Sequence, residues 1–194
     1  MKQLKCYTIL GIFFVLILGT LSHFLYDWSG NHAFVGLFTP VNESVWEHMK
    51  LVFFPMLLYS LIMIFKCRRT YPCITFALCW GIVLGTLLVP ALYYAYTFIL
   101  GKNSFILDIG IFILSVLIAF GLSYRLTLCC IRGIYMFLPC FLVCILFTCF
   151  MLFTCHPPAA QIFENPAALP PVRITRKHFY MNGSPHCNLY TALC

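Results

Sequence analysis

"VNESVWEHMKLVFFPMLLYSLIMIFKCRR", Val41 to Arg69, is the stretch on which the fold turns. Leu51 to Phe65 is a run of 15 residues without a charge. Glu43, Glu47, His48 and Lys50 precede it; Lys66, Arg68 and Arg69 follow it. As a helix the run rises about 22 Å. The hydrocarbon core of a bilayer is about 30 Å thick, so the run falls short by about 8 Å. Local thinning can absorb part of the deficit. Otherwise the helix extends back through Lys50, His48 and Trp46 to Val45, and carries Glu47, His48 and Lys50 into one leaflet. Ionisable groups are costly beside lipid and turn toward the bundle or a wet cavity. The expected fold is a helical membrane bundle with a polar site built into one end of a span.

The rest of the chain points the same way. Of its 194 residues, 62% are hydrophobic and only 9% are charged, with a mean hydropathy of +0.96. A soluble domain is about 45–50% apolar and about 25% charged. The class predicted is all-α and polytopic, with about five spans at residues 6–27, 45–65, 71–100, 105–124 and 133–155. "MKQLK" followed by an apolar run resembles a signal peptide, but no Ala-x-Ala-like site follows, so it reads as a retained first helix. "HPP" stops the fifth span, because proline cannot continue a helix. Residues 1–156 are expected to form the bundle, and 157–194 a Pro-containing, disordered tail.

The net charge of +7 is dispersed along these spans. It reads as a topology signal for a protein whose partner is the lipid bilayer, and not as a nucleic-acid surface. Lys2, Lys5, Lys66, Arg68, Arg69, Arg125 and Arg132 fall on one side of the predicted spans. They place the N-terminus in the cytoplasm, and an odd number of spans places the C-terminus outside. The 12 cysteines do not form a disulfide framework or a zinc motif by their spacing. Cys79, Cys140, Cys144 and Cys149 lie in apolar runs, where a thiol serves as a small hydrophobe. Gly81 and Gly85 make a GxxxG pattern, a candidate contact for a homo-oligomer.

Polar chemistry gathers at the outer ends of the first two spans. The candidate site residues are His23, Asp27, Asn42, Glu43, Ser44, Glu47, His48 and Lys50. Ser44 and Glu47 fit a capping box. Glu43 shares a helical face with Glu47 and would repel it, whereas Glu47 and Lys50 can pair. Asp27, one turn beyond His23, is expected to hold that imidazole. Pro55 frees the carbonyl of Leu51. Three carboxylates against one lysine leave this window two charges negative when the histidines are neutral, and a desolvated site must compensate. Carboxylates with imidazoles suit a divalent transition metal, for which Glu43, Glu47, His48 and His23 are the candidate ligands. No metal signature such as His-Glu-x-x-His is present. No cofactor is therefore the expectation, and a divalent metal the alternative. The apolar loop 33–38 either dips toward this cluster or lies along the interface. Asp108 either joins the pocket or caps its own helix.

"HFLYDWSGNHAFVGLFTPVNESVWEHMKLVFFP", His23 to Pro55, resembles the signature of a small integral-membrane family of Firmicutes-type bacteria, the domain of unknown function numbered 6512. The resemblance implies a bacterial membrane protein of about this length, ending soon after the fifth span in a short Pro-rich segment, here "HPPAAQIFENP". It implies no activity, ligand or catalytic residue. The final "AALPPVRITRKHFYMNGSPHCNLYTALC" does not resemble the family and reads as a divergent or frameshifted end.

Three roles fit these residues. A structural or assembly protein would use the cluster to lock spans together. A small-solute or proton-handling protein would use its acids as a cation site. A metal-assisted hydrolase of a lipid or small molecule would use Glu43, Glu47, His48 and His23 as ligands or bases, with Asp27 orienting His23. The first two lead, and the enzyme is the alternative. Transport is weakened by the few polar groups elsewhere in the first two spans: Thr8, Thr20 and Ser60.

Overall fold

Where water is absent, each backbone N–H and C=O must find its partner inside the chain, and helices satisfy that demand segment by segment. The computed structural model, which describes residues 2–130 and 137–164, is built in this way. Its long helices are α1 (Lys2–Trp28), α3 (Val45–Cys67), α4 (Ile74–Leu100), α5 (Phe105–Cys129) and α6 (Leu138–Cys155). A one-turn helix α2 (Ala33–Gly36) interrupts the first connection, and a 3-10 turn (Gln161–Phe163) follows α6. All five long helices have the length and apolarity to cross a membrane. The second of them begins at Val45, so the short apolar run is indeed completed by its polar flank.

Local chemistry sets the ends. Ser44 caps α3, its Oγ accepting from the Glu47 N–H at 3.3 Å. The expected capping box is only half formed. The Ser44 N–H donates instead to Asn42 Oδ1 at 2.9 Å, because the Glu47 carboxylate is engaged elsewhere. Gly101 ends α4 in the left-handed region at φ 66°, where a side chain would be strained.

Helix α3 is the most enclosed element. Val52, Phe53 and Met56 are fully buried against Leu78 and Ile82 of α4, Phe120 of α5, Val15 of α1 and Phe150 of α6. The outward faces are apolar as well: Phe13 and Ile17 of α1, Phe98 and Ile99 of α4, and Ile106 of α5 are exposed. Such a surface suits lipid. Close approach replaces the hydrophobic effect as the means of joining helices. A Cβ on Gly81 would stand 2.0 Å from Ser123 Oγ and 2.8 Å from the Ala119 carbonyl oxygen. On Gly85 it would meet the Ala119 Cβ at 2.7 Å. The GxxxG face considered for a homo-oligomer is thus occupied by α5 of the same chain. Gly19 plays a similar part on α1. A Cβ there would lie 2.7 Å from the Leu51 carbonyl, the one deprived of its helical donor by Pro55.

One expectation is corrected. Cys73 and Cys130 are joined by a disulfide, although the sequence offered no such pairing. They are 57 residues apart, and only the packing of α4 on α5 brings their ends together. Of the tail, residues 157–164 are described and return to the bundle. Phe163 lies against Trp46 and Phe153, with ring centroids 5.0 and 5.5 Å away. The rest of the tail, with the connection at 131–136, lies outside the described residues.

Gly81→Ala should lower stability by about 1–3 kcal/mol through overpacking. Gly110→Ala, with open space around its Cβ, should leave stability unchanged or slightly raised. Unfolding in detergent, followed by tryptophan fluorescence, checks both.

Candidate functional site

The polar stretch at the start of α3 divides into two sites. The first is internal. Lys50 is 0% exposed and Glu47 3% exposed, in a helix surrounded by apolar side chains. The Lys50 ammonium has three hydrogens and three acceptors: Glu47 Oε2 at 2.7 Å, Thr154 Oγ1 at 2.7 Å and the Gly36 carbonyl at 3.1 Å. Glu47 Oε2 also accepts from the Val41 N–H at 3.0 Å. One ion pair thereby ties α3 to α6 and to both ends of the segment 36–41. That segment does dip toward the bundle: Gly36, Thr39 and Pro40 are buried, and the Phe38 ring meets Phe54 of α3 at 5.2 Å. Breaking a buried pair is costly because it strands a charge, whereas replacing both partners by apolar groups often is not.

The second site is open. Glu43, with its side chain 59% exposed, faces two half-buried imidazoles. His48 Nε2 lies 3.4 Å and His23 Nε2 3.7 Å from the same oxygen, Glu43 Oε2. The two rings meet edge to face, with centroids 5.3 Å apart. His48 Nδ1 is 2.9 Å from the Ser44 carbonyl, a hydrogen bond that sets the ring's orientation. The three ligand atoms lie within 4.8 Å of one another, so the group could hold a metal ion. Of the candidate ligands, then, His23, Glu43 and His48 converge, while Glu47 is withdrawn into the pair with Lys50. Asp27 is exposed and does not take up the expected contact with His23, which turns toward Glu43. Asn42 and Ser44 build the turn that leads into α3.

These three residues help to line a cavity of about 670 Å³. Its walls come from the C-terminal halves of α1 and α4 and the N-terminal halves of α3 and α5. Phe24, Leu51, Val89, Phe105 and Phe112 supply apolar surface; Tyr93, Asn103 and Asp108 add polar groups. Asp108 therefore joins the pocket, and its Oδ1 accepts from Tyr96 Oη at 2.5 Å. Sequence reasoning missed Thr154 and the Gly36 carbonyl. The only signal for either was an unpaired requirement, since a lysine buried with one carboxylate still has two hydrogens to place.

Fold and site together define a class, the multi-pass helical membrane protein, with its polar groups gathered at one end of the bundle. The chain belongs to the family described as "Family of unknown function (DUF6512)", whose model matches residues 1–168 and so takes in all five long helices. No curated protein and no solved structure matches it.

Lys50→Met and Glu47→Gln should each destabilise the bundle by about 3–5 kcal/mol. The double variant Glu47→Leu/Lys50→Met should lose less than either single one. A double-mutant cycle on unfolding in detergent reads the difference. Additive losses would show that the pair does not act as a unit.

Proposed function

We propose that the chain is a membrane-embedded binding protein for a small amphiphile, which it receives in the pocket between α1, α3, α4 and α5. The mixed lining of that pocket carries the reading. Its volume of about 670 Å³ is that of a ligand site. Aromatic and aliphatic side chains share its lining with His23, Glu43, His48, Asn103 and Asp108. A molecule with an apolar body and one polar end matches both. Phe24 and Phe105 belong to the pocket wall and also to the exposed surface of the bundle, which favours entry from the bilayer between α1 and α5. On α5 the lining reaches only from Phe105 to Phe112, about 10 Å of a helix about 37 Å long. A pit of that depth favours binding over conduction. The structural role weighed from the sequence falls to Glu47 and Lys50, which the pocket lining does not include.

The full chain, purified in detergent and analysed by native mass spectrometry, should retain one equivalent of an amphiphile. Thr20→Trp, which fills the pocket from a partly exposed wall position, should lower that occupancy about tenfold or more. Equal occupancy in both proteins would defeat the proposal.

For the orientation, we propose that the pocket opens on the outer side and that the end bearing Lys66, Arg68, Arg69 and Arg125 faces the cytoplasm. The Cys73–Cys130 disulfide then lies at the cytoplasmic end, where this orientation requires the reducing compartment to open it. Acid-quenched alkylation of whole cells, followed by peptide mapping, should find both as thiols. Finding them oxidised in the cell would reverse the orientation.

A further inference from the structure

The geometry points to a divalent metal site on His23, Glu43 and His48, with zinc as its natural occupant. The inference is independent of which molecule fills the pocket.

Spacing is the first ground. Both imidazoles approach a single oxygen, at 3.4 and 3.7 Å from Glu43 Oε2. A direct charge-assisted N–H···O bond is shorter, about 2.7–2.9 Å. Ligand atoms held at about 2.0–2.2 Å from one zinc ion at tetrahedral angles stand roughly 3.3–3.6 Å apart. The His48 separation falls inside that range and the His23 separation 0.1 Å above it, and both are longer than a direct charge-assisted bond. Satisfying both contacts by protons alone would require His48, whose Nδ1 is already engaged by the Ser44 carbonyl, to take a second proton and a charge, while His23 could donate as its neutral Nε2–H tautomer.

The tautomer of His48 is the second ground. Its Nδ1 lies 2.9 Å from the Ser44 carbonyl, which can only accept, so Nδ1 carries the hydrogen. The neutral ring then turns the lone pair of Nε2 toward Glu43 and His23. Donation of the second nitrogen to a backbone carbonyl is the usual support of a metal-bound histidine.

Placement is the third. His48 and Glu43 flank the capped start of α3, a rigid element, and His23 comes from α1. Glu47, a candidate ligand by sequence, is held by Lys50 and the Val41 N–H. Among the described residues, the ion-pair partners of Glu43 are these two imidazoles. Partial exposure gives an ion a way in. Two histidines and one carboxylate leave a fourth tetrahedral position for water or for an oxygen of the pocket's ligand.

The test uses the full chain in detergent, stripped with a chelator and titrated with cobalt(II). One equivalent should bind with the visible bands of a tetrahedral nitrogen and oxygen site, without sulfur-to-cobalt charge transfer, and zinc(II) should displace it. His23→Ala, Glu43→Gln and His48→Ala should each weaken binding at least about tenfold. Asp27→Asn, an exposed carboxylate outside the pocket lining, should leave it intact. Metal-free unfolding curves show whether each variant is folded; a variant that unfolds early is replaced by His→Gln at the same position. Absence of stoichiometric binding overturns the site. So does binding that survives all three substitutions, or a spectrum dominated by thiolate.

Discussion

A single ammonium group organises the polar end of this bundle. Lys50 lies in a helix that is otherwise apolar for four turns, and it reaches no water. Its charge is tolerable because each of its hydrogens meets an oxygen: a carboxylate from its own helix, a carbonyl from the preceding loop and a hydroxyl from the last span. Few arrangements of α3, α6 and the loop satisfy all three at once. The pair contributes little net stability by comparison with an apolar replacement, but it makes alternative packings expensive. The loop it fixes also carries Glu43, so order in the closed site becomes order in the open one.

The two glutamates of "NESVWE" show how position alone separates roles. Glu47 is one residue pair removed from the capping serine and points inward, where its charge is matched by a lysine and a backbone N–H. Glu43 precedes the helix, stays half in water and faces two imidazoles. One serves the architecture. The other stands with two imidazoles in the lining of a cavity.

Much of the fold was legible because the bilayer imposes a coarse rule. Runs such as Leu51 to Phe65 and Phe105 to Tyr124 declare spans by composition, and the shortness of the first forced the helix back to Val45. The candidate site was legible as a neighbourhood but not as a set of bonds. The Glu47 and Lys50 pair follows from helical spacing. The turn of His23 away from Asp27 does not, because it depends on where α3 sits beside α1. Thr154 was invisible: threonine in an apolar span commonly bonds its own backbone, as it does here to the Phe150 carbonyl, and nothing local marks its second partner. The Cys73–Cys130 link escaped for the same reason, since it depends on tertiary packing.

The partners of Lys50 are also separated in time. A chain is made from its N-terminus. Gly36 and Glu47 emerge with the lysine or before it, whereas Thr154 follows 104 residues later. Through the synthesis of α4 and α5 the ammonium therefore holds one hydrogen without its final acceptor, within a helix already committed to the bilayer. Arrival of α6 supplies that acceptor. The last span to be inserted thus completes the polar centre of the second, and closure of the bundle is coupled to completion of its five-span region.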